Sequence, residues 1–281
     1  MRLDGECFLK ILDYDNIRSL VEKDVKGFLM NKKLIEEEDF PSKALTNIAK
    51  FIVTRSYWRP LFWNQLVGIL KTMKYDKWQN MEEPLIGIED LNLIYKALQS
   101  LYNHTGNKFF REATDSLKFL EIKLREAGSL RAWLLEVYNI VKREGYSWKS
   151  HDYVRGIKGV GFKGVHNILR DFGYFDMAPI DIHERRFLFR TGIALRYGPS
   201  SGDPRELEFY LTALRNFCKE ELRGYTLLGI DLGEAPGIVD LIIWCFSCTK
   251  EGKEACKGIC SADPKCGICP INHCCIYYEL R

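Results

Sequence analysis

A glycine-containing stretch near the middle of the chain has the residue types needed to bind an anion. It covers residues 154–170 and reads Val-Arg-Gly-Ile-Lys-Gly-Val-Gly-Phe-Lys-Gly-Val-His-Asn-Ile-Leu-Arg. We predict a short helix, a hairpin at Gly159 and Gly161 where glycine permits unusual backbone angles, and a second helix from about Phe162 to Phe172. The amides at a helix start lack intrahelical partners and lie at the positive end of the dipole. The stretch is therefore predicted to bind a nucleic-acid phosphate without reading a base. The alternative is a simple tight turn between two helices.

The same stretch resembles the helix-hairpin-helix of the endonuclease III superfamily of base-excision DNA glycosylases, also called the HhH-GPD superfamily. The hairpin of that family reads roughly hydrophobic-Pro-Gly-Val-Gly-x-Lys. The resemblance implies that Lys158, Gly159, Val160 and Gly161 bind DNA. Lys158 stands where the family usually has proline, and we expect its ammonium group to add a phosphate contact.

Lys163 and Asp181 match the catalytic pair of the lyase-type members of this superfamily. Those members carry a lysine in the hairpin and an aspartate in a Val/Ile-Asp-x-His segment, and here Asp181 follows Lys163 by 18 positions in Pro-Ile-Asp-Ile-His. Taken alone, Lys163 could be an ordinary solvated lysine. Asp181 could be the N-cap of a helix that stops at Gly192. A cap and a catalytic role are compatible, because a helix N-terminus keeps a carboxylate ionised.

Cysteines are concentrated near the end of the chain, where eight of the ten lie between residues 245 and 275. In a cytoplasmic protein this concentration indicates a metal site or a cluster rather than disulfides. The run Cys-x5-Cys-x2-Cys-x5-Cys resembles the [4Fe–4S] loop of endonuclease III and the adenine glycosylases, with one residue fewer in its first gap. The cluster ligands that the resemblance implies are Cys260, Cys266, Cys269 and Cys275.

Alternatives remain for both the metal and its ligands. Four cysteines at this spacing also allow tetrahedral zinc, although the resemblance favours iron and sulfide. Cys256 could replace the first ligand and Cys274 the last, while Cys245 and Cys248 have no assigned role. Basic residues of such loops contact DNA phosphates in the family. The candidates here are Lys250, Lys253, Lys257 and Lys265.

The resemblance implies a base-excision repair enzyme acting on double-stranded DNA that contains a damaged base, flipped out of the stack. Asp181 would stabilise the positive charge that develops on the deoxyribose. Lys163 would attack C1′ and form a Schiff base that permits β-elimination, which makes the enzyme both a glycosylase and an AP lyase. The alternatives are a monofunctional mismatch or damage glycosylase and a non-catalytic iron–sulfur DNA-binding module.

The identity of the excised base stays open between two resemblances. Residues 168–174, Ile-Leu-Arg-Asp-Phe-Gly-Tyr, resemble the archaeal-type 8-oxoguanine glycosylases, which lack the cluster. The four-cysteine run instead resembles the enzymes that remove oxidised pyrimidines. We expect an oxidised base in either case.

A third region, residues 66–74, resembles the first core helix of the family. The residues that follow this helix in relatives enter the DNA where the damaged base has left. The corresponding positions are Thr72, Met73 and Lys74, so the glutamine usual in the family is absent. The alternative is an ordinary helix end with Lys74 near the negative end of the dipole.

Composition describes a globular protein, with 46% hydrophobic and 28% charged residues. A net charge of +3 does not by itself indicate nucleic-acid binding, so any basic surface must come from arrangement. No apolar run approaches the ~18 residues of a membrane span, and the N-terminus lacks the layout of a signal peptide. We expect a cytoplasmic monomer, associated with the nucleoid if the source is prokaryotic.

Apolar residues recur at helical spacing along most of the chain and strand signals are weak, so the predicted fold class is all-α. The resemblance implies the two-domain HhH-GPD glycosylase fold, with a DNA-binding cleft between the domains and a C-terminal iron–sulfur loop. We predict an N-terminal helical segment over 1–56 that packs on the C-terminal domain, a helical-barrel domain over 57–172, and a C-terminal domain over 173–281.

Overall fold

A computed structural model of the chain describes residues 3–54, 60–73, 85–145, 152–158, 160–249 and 256–280, and these are mostly helical. The α-helices are α1 Gly5–Leu9, α2 Ile17–Glu37, α3 Ser42–Val53, α4 Pro60–Thr72, α5 Leu91–Thr105, α6 Lys108–Ala127, α7 Leu130–Glu144, α8 Asp152–Arg155, α9 Phe162–Asp171, α10 Ile182–Arg190, α11 Ile193–Tyr197, α12 Leu207–Glu221, α13 Pro236–Ser247 and α14 Ile276–Glu279. Short 3-10 turns lie at Ile88–Asp90, Cys266–Ile268 and Asn272–Cys274. The prediction of a mainly helical fold is confirmed.

The strands of the described residues are two dipeptides, β1 Thr226–Leu227 and β2 Ile230–Asp231, which pair antiparallel as a small hairpin. Leu228 and Gly229 form its turn, both with positive φ (51° and 79°). No described helix is long and apolar enough to cross a membrane.

The chain forms two compact units, one of residues 30–168 and one that joins residues 1–29 to residues 169–281. We call them the central unit and the terminal unit. The division falls inside α2 and inside α9. The predicted boundaries after residues 56 and 172 stay a prediction.

The central unit is a helical assembly in which α6 packs against α3, α5 and α7. Its apolar centre includes the fully buried rings of Phe51, Phe110 and Trp133. Phe62 of α4 stacks on Phe109, with ring centroids 4.7 Å apart. Side-chain caps start α6 and α7, where Asn107 and Ser129 accept hydrogen bonds from backbone amides.

The terminal unit is built around a cluster of edge-to-face phenylalanines. Phe8 of α1 lies against Phe217 of α12 and Phe187 of α10, with centroids 5.5 and 6.2 Å apart. Phe187 in turn meets Phe246 of α13. All four rings are fully buried, so the first helix of the chain is part of this core.

Close backbone contact fixes the position of α1. A β-carbon on Gly5 would fall against the carbonyl oxygen of Glu221, at the end of α12. Asp4 caps α1 by accepting a hydrogen bond from the amide of Cys7 at 2.9 Å. Only glycine permits this approach of helix to helix.

Candidate active site and cysteine loop

The predicted hairpin lies between α8 and α9 and is anchored to α6. The backbone amide of Lys158 donates a hydrogen bond to the hydroxyl of Ser116 at 2.9 Å. Gly156 lies over the ring of Phe119, where a β-carbon would collide with a ring carbon. The turn is therefore held by a buried hydroxyl and an aromatic face on one helix.

The surface beside Gly161 is open. Gly161 is exposed, and a β-carbon built on it meets no atom within 4 Å. Its φ is not positive, so the prediction that Gly161 supplies an unusual backbone angle is wrong. What glycine leaves there is room for another molecule to approach the backbone. Gly159 lies outside the described residues.

The other hairpin residues divide between the core and the surface. Val160 is nearly buried, beside the more deeply buried Ile157 and Phe162. The side chain of Lys158 is about half exposed, with Nζ 3.5 Å from a carboxylate oxygen of Asp115. An exposed pair at this distance contributes little to stability, so this ammonium can turn to a phosphate.

Lys163 lies in the first turn of α9 and is partly exposed. The opposite face of α9 is apolar, with Val165, Ile168 and Leu169 buried. This amphipathic pattern fixes the rotation of the helix about its axis. This rotation leaves the side of α9 that carries Lys163 partly exposed to solvent.

Asp181 is the N-cap of α10, as the simpler interpretation of the sequence predicted. Its Oδ1 accepts a hydrogen bond from the amide of His183 at 2.7 Å, and Oε2 of Glu184 accepts one from the amide of Asp181 at 2.7 Å. This reciprocal arrangement is a capping box. It holds the carboxylate at the positive end of the helix, where the negative charge is favoured.

Arg190, at the other end of α10, holds the cysteine loop. Its guanidinium donates hydrogen bonds to the carbonyl oxygens of Ser261 and Ala262, the latter at 3.2 Å. It also lies over the ring of Tyr277, 4.9 Å from the centroid. No sequence motif pointed to Arg190. The available signal was a basic residue in the last turn of the helix that begins at Asp181.

Arg190 also reaches two of the predicted cluster ligands. Its Nη1 lies 3.9 Å from Sγ of Cys260, and the thiol of Cys275 donates to its carbonyl oxygen at 3.5 Å. One helix therefore carries the candidate catalytic aspartate at its start and supports the cysteine loop at its end.

The four predicted cluster ligands are all free thiols, namely Cys260, Cys266, Cys269 and Cys275. The two alternatives are disulfide-bonded, Cys256 to Cys248 and Cys274 to Cys7. The prediction that the cysteines avoid disulfides is therefore wrong for four of the ten.

The four free thiols lie close enough to affect one another's ionisation. Burial raises the pKa of the Cys269 thiol to about 12, and the neighbouring charges of Cys260, Cys275 and Cys266 add to the rise. Burial also raises the pKa of Cys260 and of Cys275. Among the described residues, these four thiols do not include a group of three whose donor atoms already lie close enough to hold one metal ion. A single tetrahedral zinc ion would hold them about 3.8 Å apart.

Several curated proteins that all have the same name match part of this sequence. The chain is similar to 8-oxoguanine DNA glycosylase/AP lyases. The protein of that name from Thermotoga maritima is 28% identical over 141 residues, which are 46% of this chain and 61% of the relative. The one from Saccharolobus solfataricus is 33% identical over 88 residues, 31% of this chain and 37% of the relative. The chain thus spans less than two thirds of these relatives. No family model and no solved structure matches. The similarity supports a relationship to DNA glycosylases.

The residues predicted to enter the DNA lie at the end of α4. The hydroxyl of Thr72 donates to the carbonyl oxygen of Ile69 at 2.7 Å, and Met73 is 37% exposed. Both side chains are at the surface. Lys74 lies outside the described residues.

The cysteine-loop lysines differ in how exposed they are. Lys257 is only 10% exposed, and its Nζ pairs with a carboxylate oxygen of Asp15 at 2.8 Å. That Lys257 contacts DNA stays a prediction, although its ammonium group is already paired with Asp15 near the start of the chain. Lys265 is exposed, whereas Lys250 and Lys253 lie outside the described residues.

A buried ion-pair network ties the end of α9 to α13. Arg170 lies between Asp171 and Asp240, with nitrogen–oxygen distances of 3.0 and 3.3 Å, and its guanidinium lies over the ring of Phe28. Asp240 is 2% exposed on the helix that leads to the cysteines. The sequence offered no signal for this long-range pair.

Proposed function

We propose that this protein is a base-excision DNA glycosylase with AP lyase activity, which removes 8-oxoguanine from double-stranded DNA. The observation that carries the proposal is the exposure of Lys163 together with the fixed carboxylate of Asp181. Lys163 lies partly exposed in the first turn of the hairpin helix, and Asp181 has its carboxylate fixed at a helix N-terminus. The similarity to enzymes named 8-oxoguanine DNA glycosylase/AP lyase supports the choice of base.

The hairpin would bind the DNA backbone. The exposed backbone at Gly161 and the start of α9 suit a phosphate diester, because main-chain amides recognise phosphate without reading sequence. The half-exposed ammonium of Lys158 would add a charge contact. Binding of this kind positions the strand beside Lys163.

The chemistry follows from an amine and a carboxylate with separate tasks. The neutral amine of Lys163 forms a bond to C1′ while the C1′–N bond to the base breaks, and the base leaves with a proton. Asp181 stabilises the positive charge on the sugar in that transition state. The sugar ring then opens to a Schiff base, a proton is lost from C2′, and the 3′ phosphate departs by β-elimination.

The four free thiols would hold a [4Fe–4S] cluster. All four are free, and four thiolates are the ligand set of such a cluster, which the resemblance of the motif favours over zinc. Bound iron would favour the thiolate form that burial alone disfavours. The cluster would supply structure to the loop, through Cys260 and Cys275, which already contact Arg190.

A second candidate substrate is an oxidised pyrimidine. The free four-cysteine set favours it, because the resemblance of that motif is to the enzymes that remove such bases. The fold and the Lys163/Asp181 chemistry are the same in both cases, and only the lesion differs.

A panel of lesion-bearing duplexes tests the proposal. Duplexes with 8-oxoguanine opposite each normal base, with thymine glycol, with an abasic site and without damage should be incubated with the full chain under single-turnover conditions. We expect release of 8-oxoguanine followed by strand scission. Release of thymine glycol alone would favour the second candidate. Release of a base from strands that stay unbroken would make the enzyme a monofunctional glycosylase. Neither base release nor scission for any lesion, in the presence of tight DNA binding, would leave a non-catalytic DNA-binding protein.

A further inference from the structure

A second group of metal-ligating side chains lies apart from the four free thiols. It consists of Cys7 on α1 and of His273 and Cys274 in the 3-10 turn Asn272–Cys274, and we call it the N-terminal triad. Among the described residues it is the one group of three such ligands that lie close enough to hold a metal ion, with all donor atoms within 4.8 Å of one another. In this structure the two sulfurs form a disulfide.

We infer that the N-terminal triad, once its disulfide is reduced, binds one thiophilic divalent cation such as Zn²⁺. Two thiolates and an imidazole are a ligand set that zinc prefers, with a fourth position for water. Sγ of Cys7 lies 3.8 Å from Nε2 of His273. A tetrahedral zinc ion holds a sulfur and a nitrogen ligand about 3.5 Å apart, so this pair is already near the required distance.

The backbone spacing of Cys7 and Cys274 also suits two thiolates that are not bonded to each other. The Cα atoms of Cys7 and Cys274 are 6.7 Å apart. Disulfides span Cα distances of roughly 4.4–6.8 Å, so this pair is near the upper limit. Two thiolates that share a zinc ion need about 3.8 Å between their sulfurs, and side-chain rotation can supply that separation here.

The three ligands differ in how deeply they are buried. Cys7 and Cys274 are 4% and 7% exposed, while His273 is exposed at the surface. Nζ of Lys10 lies 3.0 Å from Nε2 of His273. That nitrogen has one lone pair, so Lys10 and a metal ion compete for it. Removal of the lysine should therefore strengthen metal binding, whereas removal of the histidine should weaken it.

The redox step balances with a phosphine as the reductant. A trialkylphosphine and one water molecule convert the disulfide into two thiols. Phosphorus takes the oxygen and becomes a phosphine oxide, and the two protons of the water go to the sulfurs. Zinc binding then releases those two protons to solvent, because the ligands are thiolates. The bound ion would tie α1 to a loop 267 positions away in the chain.

Zinc binding to the full chain tests the inference. The protein should be prepared anaerobically with its iron, treated with the phosphine, and dialysed to equilibrium against radiolabelled zinc. We expect one equivalent bound by the wild type, and affinity at least ~100-fold lower in Cys7→Ser and in His273→Ala. Lys10→Met should bind more tightly than the wild type. Cys256→Ser removes a cysteine from the other disulfide and should leave this equivalent unchanged.

X-ray absorption at the zinc edge identifies the ligands. The N-terminal triad predicts two sulfur and one nitrogen neighbours, whereas zinc held by the four free thiols would show four sulfurs and would persist in Cys7→Ser. No zinc in the reduced wild type, or equal affinity in His273→Ala, which changes an exposed residue and should fold normally, would overturn the inference. None of these readouts involves DNA, so this result is independent of the proposed function.

Discussion

At the scale of single residues, Asp181 caps helix α10 whether or not it also takes part in catalysis. The capping box with Glu184 fixes its backbone and its carboxylate together. Asparagine caps a helix about as well as aspartate, whereas alanine does not. Two substitutions of Asp181 therefore separate the cap from the charge. Asparagine keeps the cap and removes the charge, and alanine removes both.

Asp181→Asn should slow base release by about 10²-fold or more, because the charge that stabilises the transition state is lost. Thermal stability and DNA binding should stay near those of the wild type. Asp181→Ala should in addition lose about 1 kcal/mol of stability, because the cap is removed. Single-turnover assays and thermal unfolding measure the two effects. Full activity of Asp181→Asn would reduce the residue to a cap.

Lys163→Gln should abolish the covalent adduct that borohydride traps between enzyme and abasic or lesion-containing DNA. The reason is that only an amine can form the Schiff base with C1′. Lys158→Gln is the matched control, since it removes a nearby ammonium of the same hairpin and should retain the adduct. An adduct that persists in Lys163→Gln, and maps to Lys158 by peptide mass, would show that the nucleophile is misassigned.

At the scale of elements, the hairpin presents two glycines with opposite surroundings. Gly161 faces open space, and Gly156 lies against the ring of Phe119. The same substitution should therefore have different consequences at the two positions. One should affect binding and the other folding.

Gly161→Val should weaken binding to lesion-bearing and plain duplexes alike by about tenfold or more, because the side chain blocks approach to backbone amides that read no sequence. Its thermal stability should change little. Gly156→Val should instead destabilise the protein by about 1–3 kcal/mol through overpacking. Binding titrations and melting curves separate the two variants. A loss of binding confined to one lesion in Gly161→Val would point to a pocket role for the turn.

The helix α10 links the candidate active site to the cysteine loop, through Asp181 at its start and Arg190 at its end. Arg190→Lys keeps the charge and loses the planar fork that contacts Ser261 and Ala262. We expect a loss of about 1–3 kcal/mol of stability, measured by thermal unfolding. From the proposed cluster we expect faster loss of iron in air, measured by iron content. Arg186→Lys, on the same helix, is the control. Iron retention equal to wild type in Arg190→Lys would contradict this support role.

At the scale of the whole molecule, helix α1 near the start of the chain is part of the core of the terminal unit. Phe8, Gly5 and the Cys7–Cys274 disulfide connect α1 to residues more than 170 positions away. Asp15 adds an ion pair with Lys257 of the cysteine loop. Residues 3–29 therefore contribute to the packing of the terminal unit and are joined to the cysteine loop by a disulfide and an ion pair.

Phe8→Ala should destabilise the protein by about 3–5 kcal/mol, because a fully buried ring is lost from the phenylalanine cluster. Phe189→Ala is the control, since that ring is 58% exposed and should cost no more than about 0.5 kcal/mol. Denaturant titration measures both. A value below about 1 kcal/mol for Phe8→Ala would mean that α1 is not integral to this core.

The sequence by itself determined what is encoded locally. Helical periodicity predicted the fold class, because the repeat of apolar residues is a property of consecutive positions. The hairpin, the cap at Asp181 and the spacing of the four cysteines are likewise short-range patterns. The helix predicted over about 162–172 is α9, which ends at Asp171. The catalytic and metal-binding roles of these residues stay predictions.

Only the tertiary structure decided how distant segments meet. It divided the cysteines, pairing Cys274 with Cys7 and leaving Cys275 free, although the two are neighbours in sequence. It placed Lys257 against Asp15 and Arg190 against the cysteine loop. The physical reason is that such pairings depend on which buried surfaces pack together, and packing is set by shape and burial over the whole unit. A motif fixes which residue types are available, and the packing of distant helices fixes which of them are paired.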